Sequence, residues 1–475
     1  MVVGDISTGT DVLVIGAGPG GYVAAIRAAQ HGLDTTLVER DAYGGVCLNY
    51  GCIPSKALIT GAGLAHEAGN AEHMGIHADP AVDMEGLGGW KDDVVDQLTG
   101  GVEKLCKANG VNLVEGEASF ADENTVRVAH GGDGQGSESI EFEHAIVATG
   151  SQPIELPGFD FTDEEVWTSR DALAADTIPD RLVVVGAGYI GMELATVFAK
   201  LGTDVTVVEM LDDALPMYES DVARVVRKRA KDLGIEFQFG EGASEWQESP
   251  DGGIQVVTET EDGVESTYAA DKVLVAVGRR PVTEGVGLEA AGIETDDNGF
   301  IEVDDRMRTN RDHVFAIGDV AGEPMLAHVA SHEGIVASEV IAGEPAAMDA
   351  QAVPAAVFTD PEVATVGMTE AEAEEEGFEP VVGEMPFRAS GRALTADHTD
   401  GFVRIVADEE TGLVLGGQIV GPEASELIAE VSLAVEMGAT LEDVGSTIHT
   451  HPTLAEAVME AAENAQGQAI HTLNR

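Results

Sequence analysis

Two cysteines stand five positions apart in GGVCLNYGCIPSKAL, residues 44–58: Cys47 and Cys52. That separation is slightly more than one helical turn, so on a distorted first turn the sulfurs could come within bonding distance. Pro54 and the Lys-Ala-Leu that follows predict a helix start, and a helix N-terminus lowers a thiol pKa. Thiol–disulfide exchange is the chemistry such a pair can do. A plain cross-link is the first alternative. Zinc is the second, but it needs four ligands, and His66, His73 and His77 lack ligand spacing with the cysteines. The remaining cysteine, Cys106, lies far along the chain and reads as a small buried hydrophobe. Near the C-terminus, IHTHPTLAEAV carries His449, His451 and Glu456. An imidazole backed by a carboxylate can take a thiol proton and stay charged beside the resulting thiolate.

An internal repeat supplies the elements that must position these groups. Residues 11–40 read DVLVIGAGPGGYVAAIRAAQHGLDTTLVER, and residues 181–210 read RLVVVGAGYIGMELATVFAKLGTDVTVVEM. Each copy is a β-branched run, a glycine turn, a helix of small residues and a second β-branched run ending in Glu, which is a βαβ unit written twice. Gly16 and Gly186 permit the turn, Gly18 and Gly188 let backbone amides approach a pyrophosphate, and Gly21 and Gly191 bring the helix close to its strand. Glu39 and Glu209 stand where a carboxylate can accept ribose hydroxyls. Two dinucleotide sites in one chain imply electron transfer between them, and a nicotinamide and a flavin are the obvious pair. Between Leu201 and Ala223 there is no Lys or Arg, while Glu209, Asp212 and Asp213 crowd the end of the strand. A 2′-phosphate would be repelled there, so the nicotinamide is expected to be NAD.

Composition narrows the setting. The chain has 475 residues, 86 acidic against 25 basic, and a formal charge of −61, which excludes nucleic acid and anionic membrane as main partners. A hydrophobic fraction of 44% separates it from disordered acidic chains. Only eight residues are lysine, the last of them Lys272. An acidic skin of this kind suits molar salt, where the Debye length falls to about 3 Å. The N-terminus MVVGDISTGT lacks a targeting pattern, and the long apolar runs are interrupted by Gly and by charged residues. A cytoplasmic location and no membrane association are therefore expected, and no metal site is.

The cysteine motif, both glycine fingerprints, ATG at 148–150, VFAIGD at 314–319 and HPTLAE at 451–456 together resemble the flavin-dependent pyridine nucleotide disulfide oxidoreductases. The similarity spans nearly the whole chain and is strongest to the dihydrolipoamide dehydrogenase branch. It implies FAD and NAD as cofactors and Cys47 as the thiol that meets the substrate. Cys52 would then be the thiolate against the flavin, and His451 the base, with Glu456 fixing its tautomer. Lys56 would lie near the flavin and pair with Glu193. Asp319 and Gly318 would hold the ribityl or pyrophosphate region, with backbone contacts from Ala118, Gly150 and Ala327, and Gly278 joins the cofactor-binding positions. Tyr189 follows the second glycine turn, where some members cover the nicotinamide pocket. The implied partners are lipoamide or a lipoyl carrier protein, a second copy of the chain in a homodimer with shared sites, and a 2-oxo acid dehydrogenase complex or a glycine cleavage system. An NADH-dependent reductase of another small disulfide and a docking subunit are the other readings.

The expected fold class is α/β: two Rossmann-like dinucleotide-binding domains plus an α+β C-terminal interface domain. Residues 1–150 with 281–347 would form the FAD domain, 151–280 the NAD domain and 348–475 the interface domain. In the acidic run at 370–377, Thr369 and Glu372 have capping-box spacing at a solvated helix end.

Overall fold

The computed structural model describes residues 6–131, 136–250 and 252–474. Val12, Leu13 and Val14 are fully buried, as are Val184 and Val207 in the second copy of the repeat. Such unbroken β-branched runs suit strands covered on both faces, and both copies form parallel sheets. In the first sheet Asn112–Glu115, Thr35–Glu39, Ile6–Ile15 and Ser137–Val147 lie side by side, and Val314–Ala316 adds alongside the end of the last. In the second, the order is Glu236–Phe239, Asp204–Glu209, Arg181–Val185, Lys272–Val275 and Val166–Trp167, all parallel.

The repeat runs further than the 30 matching residues. After its parallel strands each copy continues into a three-stranded antiparallel meander, Glu117–Asp122, Thr125–Ala129 and Ser137–Val147 in the first, Glu241–Glu248, Ile254–Thr260 and Glu265–Ala270 in the second. Meanders need only alternating polarity and tolerant turns, so nothing in their residues marks the correspondence. The chain passes between the two sheets through a two-stranded ribbon in which Ser151–Pro153 pairs antiparallel with Arg279–Pro281. A boundary between residues 280 and 281 therefore cuts a strand rather than a linker.

The C-terminal part is an antiparallel sheet ordered Ala355–Val357, Glu362–Gly367, Val414–Gly421, Phe402–Asp408 and Pro380–Pro386. Helices Ala424–Glu436 and Glu456–Ala465 close one core against it through Ile428, Val431, Val458 and Ala461. Thr369 and Glu372 form the capping box of the short helix Glu370–Glu375. Among the described residues no helix is long and apolar enough to cross a membrane.

Candidate active site

The glycine turns have nearly the same geometry in both copies. Gly16 and Gly186 hold φ of 100° and 101°, and a Cβ at either would fall 2.3 or 2.5 Å from a carbonyl oxygen of the neighbouring strand end. A Cβ at Gly21 or Gly191 would strike the carbonyl of the first glycine, at 1.9 and 2.1 Å. Around Gly18 and Gly188 a Cβ would meet nothing within 4 Å, so these positions are open toward an approaching ligand. The helices Pro19–Gln30 and Tyr189–Lys200 start here, and neither has an acidic residue in its first turn. In a chain this acidic, their free amides and dipoles leave a place where a phosphate can sit.

The terminal carboxylates brace these turns. Glu39 Oε2 accepts the Ala17 amide (2.7 Å) and Oε1 the Asp41 amide (2.8 Å). Glu209 does the same with Ala187 (2.7 Å) and Leu211 (2.9 Å). Each oxygen retains a lone pair for a ribose hydroxyl. Arg227 folds back from helix Ser220–Asp232 onto Asp213, so a cation does reach the end of the second strand, already paired.

One cavity takes in the first glycine turn. Gly16, Gly18, Gly21, Glu39, Ala118, Gly150, Gly318, Asp319 and Ala327 line it, as do Cys47, Cys52, Lys56, Tyr189 and Glu193. Gly186, Gly188, Gly191 and Glu209, the second fingerprint, do not line it, nor does Gly278, which precedes strand Arg279–Pro281. Its lining fits a flavin dinucleotide: open backbone at Gly18, the Glu39 carboxylate for the ribose, and a dithiol in the same wall. The second fingerprint, with its open Gly188 and acidic strand end, fits NAD.

The cysteines lie on two helices rather than on one distorted turn. Cys47 belongs to the short helix Gly45–Tyr50, and Cys52 is the first residue of Cys52–Asn70; Gly51, at φ −137° and ψ −114°, breaks the path between them. Both are free thiols, joined by a side-chain hydrogen bond. That bond is the leading reason the Cys52 thiol is held below its ordinary value, and the nearby Lys56 ammonium adds to it against the opposing effect of burial. The Cys47 thiol is pushed up, first by donating to Cys52 and then by burial. The pair is thus asymmetric, with Cys52 the more acidic thiol.

Lys56 Nζ lies 2.8 Å from Glu193 Oε2, and Glu193 is 4% exposed. Asp319 accepts from the Ser151 hydroxyl, and Arg279 grips Ser151 through Oγ (2.8 Å) and the carbonyl (2.7 Å). Gly318 donates its amide to Glu333 (2.6 Å), whose carboxyl is raised by burial. Ser151, Arg279 and Glu333 were not anticipated; an Arg directly after Gly278, in a chain poor in cations, was the available signal. Tyr189 is 43% exposed and belongs to the same cavity wall.

His451 and Glu456 do not line this cavity. His451 Nδ1 lies 2.9 Å from Glu456 Oε1, and because a carboxylate only accepts, Nδ1 carries the proton and Nε2 is left as the basic atom. The ring is 78% exposed. Burial raises Glu456, but the Thr453 amide and His451 outweigh it and hold the carboxyl below its ordinary value. His449 is enclosed instead, between Glu430 (2.7 Å) and the Thr447 carbonyl (2.8 Å), and Cys106 is fully buried.

A family model described as pyridine nucleotide-disulphide oxidoreductase matches residues 10–334, and that family's dimerisation domain matches residues 353–462. The chain belongs to this family. Among curated members it is 78% identical to a dihydrolipoyl dehydrogenase of Haloferax volcanii and 69% identical to one of Halobacterium salinarum, in both cases over all of each chain. A dihydrolipoyl dehydrogenase of Geobacillus stearothermophilus is 49% identical, again over the full length of both. Among solved structures, LpdA from Mycobacterium tuberculosis superposes with a TM-score of 0.88 at 30% identity, covering 95% of this chain and 99% of that one. The HOCl-induced flavoprotein disulfide reductase RclA from Escherichia coli gives 0.85 at 27% identity, covering 95% and 99%.

Proposed function

We propose that this chain is a dihydrolipoyl dehydrogenase that oxidises dihydrolipoamide, free or on a lipoyl carrier protein, through Cys47 and Cys52, with NAD as final acceptor. The observation that carries this reading is geometric: Cys47, Cys52 and Lys56 line the same cavity as the first nucleotide turn and Glu39. A substrate thiol attacks Cys47 Sγ in the oxidised pair. The bond to Cys52 breaks, and its electron pair stays on Cys52 as thiolate, stabilised by Lys56. The attacking thiol gives its proton to His451 Nε2 while Glu456 holds the Nδ1 proton in place. The second substrate thiol then closes the cyclic disulfide and leaves Cys47 as the thiol. FAD, when bound in the cavity, supplies a two-electron acceptor between this dithiol and NAD.

The dimerisation domain supports a homodimer. Since His451 lies away from the cavity of its own chain, the dyad of one copy serves the cysteines of the other in this reading. The division into FAD, NAD and interface domains belongs to it as well, as does a cytoplasmic setting, where thiols stay reduced. A 2-oxo acid dehydrogenase complex or a glycine cleavage system is the class of assembly that would supply the lipoyl group.

Steady-state assays with dihydrolipoamide and NAD, and with glutathione disulfide, cystine and coenzyme A disulfide against NADH, test the proposal. Dihydrolipoamide is expected to give the highest kcat/KM. A higher value for any other disulfide would replace the reading with that of a small-disulfide reductase, and no turnover with any of them would leave a docking role.

A further inference from the structure

The pair formed by Lys56 and Glu193 is held by a third residue, contributed by the C-terminal part of the chain. The Phe358 amide donates to Glu193 Oε1 (2.9 Å), the oxygen that Lys56 does not use, and the Lys56 ammonium stands 4.3 Å from the centroid of the Phe358 ring. One residue therefore fixes the carboxylate with its backbone and offers the ammonium a negative π face with its side chain. Its own position is clamped. Two residues on, Asp360 is bound by Lys200 (2.9 Å) and Arg229 (3.1 Å), and Lys200 ends the same helix that carries Glu193. Segment 358–360 is thus pinned to helix Tyr189–Lys200 near both ends.

A lysine side chain has four rotatable bonds, and one ion pair leaves it a cone of positions. A carboxylate on one side and an aromatic face on the other reduce that freedom. The ammonium acts on Cys52 by charge alone, so its effect depends directly on its distance.

We propose that Phe358 is a positioning residue that holds the Lys56 ammonium where it stabilises the Cys52 thiolate. This rests on the reading of Cys52 as the thiolate that faces the flavin. The C-terminal unit then contributes to the site within its own chain through Phe358, in addition to the histidine dyad it offers to a second copy.

The test is a pH titration of the long-wavelength thiolate-to-flavin absorbance in the two-electron-reduced, FAD-loaded dimer. Phe358→Leu keeps the amide bond to Glu193 and removes the π face. Its thiolate pKa is expected to rise by about a few tenths of a unit, because a less restrained ammonium spends part of its time farther from the sulfur. Phe358→Trp is expected to restore the wild-type curve. An unmoved titration in Phe358→Leu overturns the proposal, and so does an equal shift in Phe358→Trp, which would reduce the effect to packing. Should the leucine variant fail to fold, trifluorophenylalanine at position 358, which keeps the ring and weakens its negative face, decides the matter by the same shift or its absence. Absence of the absorbance in the unmodified protein would instead count against the reading of Cys52.

Discussion

The two copies of the repeat share a backbone and part company where the chain comes back. In both, the second strand ends in a carboxylate that braces the glycine turn, and a returning segment then bonds the residue after the first glycine: Gly44 to the Ala17 carbonyl (2.8 Å), Leu215 to the Ala187 carbonyl (2.9 Å). In the first copy that segment is Gly44–Gly45, both at positive φ, and a Cβ at Gly45 would lie 2.6 Å from Gly18 Cα. The absence of side chains lets the cysteine helix start directly against the phosphate turn. In the second copy the segment is anchored by buried Leu215, and it leads to the basic helix Ser220–Asp232 instead. The scaffold makes both sites nucleotide sites. What returns to it decides which one meets the dithiol.

The strongest way to break this comparison is at the cysteines. Cys47→Ser or Cys52→Ser is expected to lower lipoamide turnover by about a thousandfold or more while FAD stays bound, because the flavin rests on the turn and Glu39 rather than on sulfur. Flavin absorbance after gel filtration checks this; loss of FAD from both variants would make the pair structural.

The turns come next. Gly186→Ala forces a side chain into φ 101° and against Ala276. It should cost roughly 2–4 kcal/mol locally and raise the NAD KM at least tenfold, with the flavin retained. Gly16→Ala should do the reverse and release flavin. Equal effects of the two on both cofactors would show that the sites are not separable.

A smaller effect is expected at the second carboxylate. Glu209→Gln with Asp212→Arg keeps one amide acceptor, removes charge and adds a cation, so the preference for NAD over NADP should narrow by about tenfold. Comparing kcat/KM for the two cofactors measures it.

The dithiol sharpens the comparison through pH. A depressed Cys52 remains thiolate below the ordinary thiol value of about 8.5 and is lost only as pH falls through its own lower pKa, whereas Cys47 requires alkaline pH. Alkylation of the reduced protein, followed peptide by peptide across pH, should give two separate curves with Cys52 the more acidic. Last, dialysis from molar KCl to 50 mM should lower Tm by several degrees, since the Debye length then exceeds 10 Å and a charge of −61 repels itself across the surface. An unchanged Tm would mean that the core outweighs the repulsion.

The sequence makes the turns legible because each glycine answers a steric demand that no other residue meets, and the carboxylates legible through their fixed distance from them. The helix at Pro54 was visible for similar reasons, although Gly51 places its first residue at Cys52 and leaves Cys47 on a helix of its own. Contacts between distant segments left no such mark. Ser151 and Arg279 act through the ribbon that joins the two sheets, and Glu333 reaches Gly318 from a helix whose pattern shows only an apolar face. Phe358 looks like one more aromatic at a strand end, and only the fold puts its ring under Lys56. The meanders were missed because alternation without a constrained turn carries no position-specific signal.

The amides at the two helix starts have a further consequence for life in concentrated electrolyte. A phosphate held by lysines and arginines gives up condensed ions from those side chains' surroundings when it binds, and its affinity falls steeply as salt rises. Peptide N–H groups carry no net charge and gather no counterions, so a dinucleotide seated at Gly18 or Gly188 has little to lose to competing anions. A phosphate seat built from peptide amides can thus hold its part of a cofactor at ionic strengths that would weaken a seat built from cations alone.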